Sequence, residues 1–585
     1  MFKIKLCILA LCFAHLAMAT SARVADIEPC VKWRGDEQIT IARPIPYNGV
    51  LTGPGDQIGT TAYDYQANGS FGQRLKVDDY TQAHIDWMWQ DYPGQTQRYV
   101  AWNARFADGS YYGPIQLSPS WSGYTQLDVT RDANPDDQRT VACYHYDAGA
   151  GYYGWIDIDG GNLWGVWPNN PVTPQVADYI WPYVCCAENG NIVMATGDYN
   201  ANAHHAFVTT DEGANWSSVI DIDSTACLSQ FLRASDNSDK VVFVHTQFIT
   251  DTTASGQLDN DVYFILSTDG GVTWGTRTNI TNYTPSDSVR AYCNVNAVFD
   301  VNDDLHIAWA GRRVTDNYYE ASKIFHWDEV SGNIRIVSSP STYYTDPGGW
   351  WIETATGGDY GAWRLPADQP QLVVDPSNND LYCLWHGNDD YNDYSSGGFI
   401  NGEIYGSYST DDGQTWTDYT NLTNTRTPGA GPGECDDEDY GTANPWTVND
   451  SIFFTYVEDK DAGSLPSGEG SLTENPVRCW VFWAGDVRPG VAEHKSEAPS
   501  IISLNCTPNP ANYRATIEYI LARPGQVTID LFNATGRLVD RLVDQNGSAG
   551  VHTHTINTDR LANGTYFLEM EANRQHITQS LIVVK

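Results

Sequence analysis

The sequence contains few basic residues for its size. Its 585 residues include 33 Lys and Arg against 73 Asp and Glu, which gives a formal net charge of −40. A surface this acidic repels phosphate backbones and anionic lipid headgroups. We therefore expect neither a nucleic acid nor an anionic membrane surface as a partner.

Long apolar runs are also missing, except at the start of the chain. Residues 1–19 combine Lys3 and Lys5, an apolar run over residues 6–16, and an A-x-A site at residues 17–19. This pattern is typical of a secretory signal peptide, and the run is shorter than the roughly 20 residues that a membrane span needs. We expect an exported mature chain without a membrane span.

Closely spaced cysteine pairs of the metal-binding kind are absent as well. Ten cysteines follow the signal segment, and no C-x-x-C motif occurs, which argues against a zinc site or a thiol redox centre. An oxidising compartment permits disulfides. Their pairing stays open, since several cysteines lie in strand-like runs where they suit a core equally well.

Sustained helical periodicity is the last absence, and it leaves an all-β chain as the expected fold class. A unit of strand, polar turn, second strand and acidic loop recurs, with second strands near residues 83, 140, 191, 241, 305, 381 and 451. Sheets that are apolar on their faces can bury them by closing into a ring. After an N-terminal segment over residues 20–59, we predict a β-propeller of about seven blades over residues 60–486. Six blades, or two β-sandwiches side by side, are the alternatives.

Three of these units contain a sharper turn motif. Residues 267–274 (STDGGVTW) and 409–416 (STDDGQTW) fit S-x-D-x-G-x-T-W, and residues 209–216 (TTDEGANW) are a looser copy. The Asp carboxylate can accept backbone N–H groups across a hairpin turn, Gly supplies a positive φ, and Trp packs between layers. The residues given this structural role are Asp211, Trp216, Asp269, Trp274, Asp411 and Trp416.

These turns resemble the Asp-box, or BNR repeat, of the sialidase-like β-propellers, and the resemblance covers about residues 60–485. It implies that the Asp-box joins the third and fourth strands of a blade, away from any active site. The loops that follow second strands and precede first strands then meet on the opposite face, which we call the mouth.

The mouth holds the candidate site residues. Sialidases clamp a substrate carboxylate with three arginines and use a Tyr–Glu pair and an Asp for catalysis. By this resemblance, Arg312 and Arg313 are clamp candidates, and Asp198, Asp389 and Glu458 are catalytic carboxylates. Further substrate-binding candidates are Arg290, Arg364, Asp91, Asp147, Tyr199 and Tyr391. The family's F-R-I-P motif has no counterpart shortly before an Asp-box, since the nearest string is at residues 41–46, and this departure favours binding over catalysis.

Two oxygen-rich turns, at residues 300–304 and 375–380, raise the question of a cation. Hard cations such as Ca²⁺ prefer such ligands, but Asn and Asp also occur in tight turns without any ion. His145, His245 and His386 recur near the ends of second strands, where a His fills a strand end more often than it binds a metal. No cofactor is predicted and no metal ligand is assigned, and Ca²⁺ is the one cation left open.

The last part of the chain differs in charge and in pattern. Residues 487–500 read as a polar linker, and residues 501–585 contain six strand-like runs that fit a small Ig-like β-sandwich. Its landmarks are TPNP at residues 507–510, DLFNATGRLV at 530–539, LANGTYF at 561–567 and LIVVK at 581–585. In this order they resemble the C-terminal sorting domain of the bacterial type IX secretion system, with the flagellar-hook-cap Ig-like domain as the second resemblance.

These features together predict an exported protein that binds glycans or other surface polymers. The resemblance implies the type IX secretion machinery as a partner, and a secreted or outer-surface location on a Gram-negative-type bacterium. A glycoside hydrolase of sialidase type and a non-catalytic structural surface component are the alternatives. An arginine clamp at the mouth would favour hydrolysis, an aromatic groove would favour binding, and a filled channel would favour a structural role.

Overall fold

The computed structural model describes residues 53–488 and 503–585, apart from 68, 91–97, 119–120, 133, 148–151, 162, 164, 168–178, 199–202, 224–228, 249–259, 285, 315–320, 339–349, 353–357, 362, 391, 522–524, 534–536, 548–549 and 573–574. The predicted signal peptide, most of the segment over residues 20–59 and most of the predicted linker lie outside these residues. The chain divides into two compact units, Met1–His494 and Lys495–Lys585.

The described strands of the first unit form seven antiparallel groups, which we number blades 1 to 7 along the chain; blades 4 and 5 are joined into one sheet by a single pairing, Asn260 opposite Ala291. Blade 1 consists of Leu75–Val77, Ala83–Trp89, Tyr99–Arg105 and Ile115–Gln116. Blade 2 consists of Ser122–Val129, Thr140–Asp147 and Tyr152–Ile158. Blade 3 consists of Tyr179–Cys186, Ile192–Asp198, His204–Thr209 and Ile220–Asp223.

The remaining blades repeat the same pattern. Blade 4 consists of Gln230–Ala234, Val241–Phe248, Asn260–Ser267 and Thr278–Asn279. Blade 5 consists of Val289–Phe299, Leu305–Arg313, Ala321–Asp328 and Ile334–Ile336, with Trp351–Ile352 added beside its third strand. Blade 6 consists of Ala367–Val374, Leu381–Gly387, Glu403–Ser409 and Thr420–Asn421. Blade 7 consists of Asp437–Ala443, Ser451–Asp459, Asn475–Trp483 and Asp56–Thr61.

The second strands lie where the repeat predicts them, each within one residue of its expected start. They are identifiable because they are apolar on both faces: residues 241–244 are all fully buried, although successive side chains of a strand point to opposite faces. Each blade therefore has an apolar surface toward both neighbours. The predicted β-propeller of about seven blades is confirmed.

The ring is completed by the strand that precedes blade 1. Asp56–Thr61 pairs antiparallel with the third strand of blade 7, in register from Asp56 opposite Cys479 to Thr61 opposite Asn475. Leu75 and Ile85 of blade 1 share an apolar cluster with Phe453 of blade 7. The boundary expected at residue 60 falls inside this closing strand.

Residues 62–74, which we call the central segment, lie at the centre of the ring. Apart from residue 69, its described residues are buried. The Tyr183 hydroxyl of blade 3 donates to the Ser70 carbonyl at 2.7 Å, and the Val295 amide of blade 5 donates to Ser70 Oγ at 2.9 Å. Blades on different sides of the ring thus form hydrogen bonds to the central segment, which fills the centre of the ring around Ser70.

The second unit is a sandwich of two sheets. One contains Ser503–Thr507, Arg514–Leu521 and Gly550–Asn557, and the other contains Gly525–Asn533, Leu538–Gly547, Gly564–Ala572 and Gln575–Val583. Ile517 of the first sheet and Ile529 and Leu568 of the second belong to one buried core. This is the predicted small β-sandwich.

Helical structure among the described residues is limited to three 3₁₀ turns. These are Pro135–Asp137, Leu465–Ser467 and Ala484–Val487. No helix in the described part of the chain is long and apolar enough to cross a membrane.

The cysteines of the described residues are all buried. They are Cys143, Cys185, Cys186, Cys293, Cys383, Cys435, Cys479 and Cys506. The sequence left open whether the cysteines form disulfides or pack in a core, and these eight residues are small core side chains. Cys30 and Cys227 lie outside the described residues.

Candidate functional site

The three Trp-ending turns define the face opposite the mouth. They connect the third and fourth strands of blades 3, 4 and 6. In each turn the Asp Oδ1 accepts the backbone N–H of the residue four positions later at 2.8 Å: Asp211 from Asn215, Asp269 from Thr273, and Asp411 from Thr415. The turn glycines have positive φ, and Trp216, Trp274 and Trp416 pack against clusters between blades.

The two oxygen-rich turns use their oxygens within the protein. Asp300 Oδ1 accepts the backbone N–H groups of Asn302 and Asp304 at 2.9 and 2.8 Å. Asp375 Oδ1 accepts the amide of Ser377 at 2.9 Å. These hydrogen bonds account for the Asp residues as turn formers.

A polar pocket lies at the mouth between blades 6 and 7, beside the central segment. Its lining residues come from the central segment, the loop before blade 6, the end of the second strand of blade 6 and the loop that follows it, the start of blade 7 and the loop after the second strand of blade 7. They are Asp64, Tyr360, Arg364, His386, Ile400, Asp437, Asp439, Tyr440, Gly463 and Ser464. The water-accessible volume is about 10 Å³, which is close to the space that one water molecule needs.

Strand geometry aims two carboxyl groups into this pocket. Asp437 and Asp439 are two residues apart on the first strand of blade 7, so they point to the same face. A bulge interrupts the register after Asp439, and Tyr440 there has a φ of +54°. The Gly402 amide of blade 6 donates to Asp437 Oδ1 at 2.6 Å and fixes this carboxylate.

Arg364 and His386 approach the same carboxylates from blade 6. The Arg364 guanidinium forms an ion pair with Asp439 Oδ2 and lies 4.4 Å over the ring centre of Tyr440. His386 Nε2 lies 3.1 Å from Asp439 Oδ1 and 3.6 Å from Asp437 Oδ1. Among the described residues, neither ring nitrogen of His386 has a hydrogen-bond partner.

Burial controls protonation in this pocket. It raises the pKa of Asp64 to about 8, although the Leu465 amide donates to Asp64 Oδ2 at 2.7 Å. It raises the pKa values of Asp437 and Asp439 to about 6, against the opposing charge of Arg364. It lowers the pKa of His386 to about 4, so the imidazole is neutral at pH 7.

Of the arginines predicted from sequence, only Arg364 lines the pocket. The Arg290 guanidinium donates to the backbone carbonyls of residues 284, 287 and 289 at 2.5 to 2.8 Å. Arg312 is paired in register with Arg290 in blade 5, and the Arg313 guanidinium lies 5.9 Å over the ring centre of Trp350. The lining residues of the pocket therefore do not include a three-arginine clamp.

The predicted carboxylates also lie apart from this pocket. Glu458 is fully buried, with its oxygens bonded by Arg478 Nε at 2.5 Å and by Lys460. Asp389 Oδ1 accepts from Arg426 Nη2 at 2.8 Å, and Asp198 Oδ2 lies 3.9 Å from His205 Nε2. Asp91, Tyr199 and Tyr391 and the side chain of Asp147 lie outside the described residues.

Most of the pocket's polar residues were missed in the sequence. The sequence signal was the acidic run Asp436 to Asp439 at the start of blade 7, which consists of four acidic residues in succession. The predicted mouth residues came from the ends of second strands and from arginines before first strands. First-strand carboxylates reach the same face, because a first strand begins at the mouth.

Comparison with protein families matches residues 506–584 to a family described as a secretion system C-terminal sorting domain. No curated protein matches the chain. Such a domain directs proteins through type IX secretion. The protein is therefore exported, to the medium or to the outer surface of a Gram-negative-type bacterium.

Several solved structures are similar to this chain at low identity. An ulvan lyase from a polysaccharide lyase family is 10% identical, with 74% of this chain and 98% of the other covered and a TM-score of 0.44. The polysaccharide lyase Uly1 is 12% identical, with 76% and 97% covered and a TM-score of 0.43. A leech intramolecular trans-sialidase is 11% identical, with 75% and 71% covered and a TM-score of 0.36. The chain thus combines a β-propeller with a C-terminal sorting domain of a secretion system over residues 506–584.

Proposed function

We propose that this exported protein binds a glycan or a similar surface polymer at the mouth, with the pocket between blades 6 and 7 holding one polar group of the ligand. The observation that carries the proposal is the convergence of a guanidinium, an imidazole and three carboxyl groups in one pocket at the mouth. Sugar hydroxyls both donate and accept hydrogen bonds, so a site with both kinds of partner suits them.

The size of the pocket limits what enters it. A volume of about 10 Å³ accommodates a hydroxyl group or a water molecule but not a sugar ring. The ring of a bound sugar would lie over the entrance, anchored by one hydroxyl. This supports recognition of a polymer that lies across the mouth rather than one that enters the centre of the ring, which the central segment fills.

The charges of the pocket favour a neutral sugar. Asp64, Asp437 and Asp439 supply three carboxyl groups against the single guanidinium of Arg364, which already pairs with Asp439. An anionic sugar needs cationic partners for its carboxylate, ideally in a bidentate arrangement. This distribution supports binding of a neutral glycan over hydrolysis of sialidase type.

Glycoside hydrolysis of another kind is the second candidate, because the pocket groups several carboxyls. Most glycosidases use two carboxyl groups on either side of the scissile bond. Asp64 comes from the central segment and Asp439 from blade 7, so the two enter the pocket from different elements. Turnover of a neutral glycoside would favour this function over binding alone.

The test is a glycan array, run with a fluorogenic glycosidase panel, on the full secreted chain. Arg364→Gln removes the charge that holds Asp439, and we expect it to weaken glycan binding at least about tenfold. Asp269→Asn, on the opposite face, is the matched control and should bind like the wild type. Binding that is equal in all three proteins would refute the pocket as the glycan site, and absence of any bound glycan would leave the structural alternative.

A further inference from the structure

Three side chains of the pocket bring potential metal-ligand atoms to one point. His386, Asp437 and Asp439 are only 4%, 4% and 6% exposed. Their nearest nitrogen and oxygen atoms all lie within 4.8 Å of one another. Both ring nitrogens of His386 and Oδ1 of Asp439 have no hydrogen-bond partner among the described residues.

Buried polar atoms are normally satisfied by a partner. Here the imidazole nitrogen and the carboxylate oxygen are 3.1 Å apart, but their orientation does not form a hydrogen bond. A cation that both atoms could ligate would satisfy them. This observation is independent of the number of acidic residues nearby.

The spacing of these atoms fits a small divalent ion. Zinc binds His nitrogen and carboxylate oxygen at about 2.0–2.1 Å, so two ligands of a tetrahedral site lie roughly 3.3–3.4 Å apart. The observed separations of His386 Nε2 from the two carboxylates are 3.1 and 3.6 Å. The cavity of about 10 Å³ leaves room for one further ligand, such as a water molecule.

We propose that His386, Asp437 and Asp439 form a binding site for Zn²⁺ at the mouth of the propeller. An imidazole ligand favours zinc over Ca²⁺ and Mg²⁺, which prefer oxygen alone. The two carboxylates balance the charge of the ion. This site lies apart from the oxygen-rich turns at residues 300–304 and 375–380.

Neighbouring groups hold the three ligands in place. The Arg364 guanidinium bonds the outer oxygen of Asp439, and the Gly402 amide donates to Asp437. Partners of this kind orient metal ligands. Gly402 also makes room for the imidazole, since a Cβ at this position would lie 1.7 Å from His386 Nε2.

Zinc binding is independent of the proposed glycan. A chain that binds zinc but no glycan would overturn the proposed function and leave this site standing. A chain that binds glycan but no zinc would overturn the zinc site and leave the proposed function standing. If both bind, the open position of the ion is the place where a sugar hydroxyl would reach the pocket.

The experiment uses the full secreted chain after dialysis against a chelator. Zn²⁺, Mn²⁺ and Ca²⁺ are each titrated by calorimetry, and bound metal is counted by elemental analysis. We expect one Zn²⁺ per chain, a higher Tm with zinc, and a loss of at least about tenfold in zinc affinity in His386→Gln and in Asp437→Asn.

His245→Gln is the matched control, because His245 is also buried near the end of a second strand and lies 3.0 Å from a single carboxylate, that of Asp223. It should keep the wild-type zinc affinity. Circular dichroism shows whether each variant folds. If His386→Gln does not fold, the zinc affinity of Asp437→Asn tests the proposed site. No stoichiometric zinc, tighter binding of Ca²⁺ than of zinc, or equal zinc affinity in all the variants would overturn the assignment.

Discussion

Asp157 in blade 2 is a single buried carboxyl group that makes the stability of this protein depend on pH. It is fully buried, and neither of its oxygens has a hydrogen-bond partner among the described residues. Burial raises the pKa of Asp157 from 3.8 to about 7. The folded state therefore binds this proton more tightly than the unfolded state does.

We predict that Asp157 makes the protein less stable as the pH rises. The folded-state pKa is above the unfolded value, so the free energy of unfolding falls between about pH 4 and pH 7, by up to about 4 kcal/mol. Asp157→Asn should remove this fall and be more stable than the wild type at pH 8. The measurement is urea unfolding from pH 4.5 to 8.

The exposed Asp137 of the same blade supplies the control. Asp137→Asn makes the same change of charge at the surface and should leave the pH profile of the wild type in place. A profile that is unchanged in Asp157→Asn would show that Asp157 is ionised without cost in the folded protein.

Single residues of the pocket show what sequence could and could not reveal. Arg364 was identifiable because its place before a first strand puts it at the mouth. Asp437 and Asp439 were not singled out, because they lie on a first strand and the predicted carboxylates came from the loops after second strands. Arg290 was expected just before a first strand and Arg312 in the loop after a second strand, whereas they lie within the strands Val289–Phe299 and Leu305–Arg313. Strand periodicity does not reveal that Arg290 bonds to the backbone beside it.

At the scale of elements, the Asp-box turns should contribute to stability through one carboxylate each. In blade 6, Asp411 Oδ1 accepts the Thr415 amide and Asp411 Oδ2 accepts the Thr415 hydroxyl at 2.7 Å. Asp411→Ala should lower the free energy of unfolding by about 1 kcal/mol, because these donors lose their acceptor. Thermal or urea unfolding at pH 7 measures the change.

Asp418 lies in the same hairpin and is exposed, so Asp418→Ala controls for the loss of a surface charge. It should change stability by less than about 0.5 kcal/mol. If Asp411→Ala and Asp418→Ala were equally stable, the hydrogen bonds of Asp411 would contribute no more to stability than an exposed surface charge does.

Elements differ in how visible they are in the sequence. Second strands are long and apolar on both faces, so the repeat identifies them. Fourth strands such as Thr278–Asn279 and Thr420–Asn421 are only two residues long, which is too short for a periodic signal. The strand Asp56–Thr61 joins blade 7 through pairing with residues more than 400 positions away, and local patterns carry no information about such a partner.

At the scale of the whole molecule, closure of the ring depends on a close approach at Gly59. This residue lies on the closing strand, and a Cβ there would be 2.3 Å from Trp87 Cζ2 in blade 1. Gly59→Ala should therefore lower the free energy of unfolding by about 1–3 kcal/mol through overpacking. Gly160→Ala adds the same methyl group where the nearest atom is 3.5 Å away, and it should stay within about 0.5 kcal/mol of the wild type.

Urea unfolding of both glycine variants measures this difference. Equal midpoints for the two would mean that blade 7 does not close onto blade 1 through the strand Asp56–Thr61. Closure of the ring would then have to depend on contacts other than this strand pairing.

The position of the bound ligand decides between the mouth and every other surface. Hydrogen–deuterium exchange of the full chain, with and without the glycan selected on the array, measures it peptide by peptide. Slower exchange is expected in residues 360–364, 386–390, 437–440 and 463–465, with no change in the turns at residues 209–216, 267–274 and 409–416. Slower exchange confined to those turns or to residues 503–585, with none between blades 6 and 7, would contradict the assignment of the binding site.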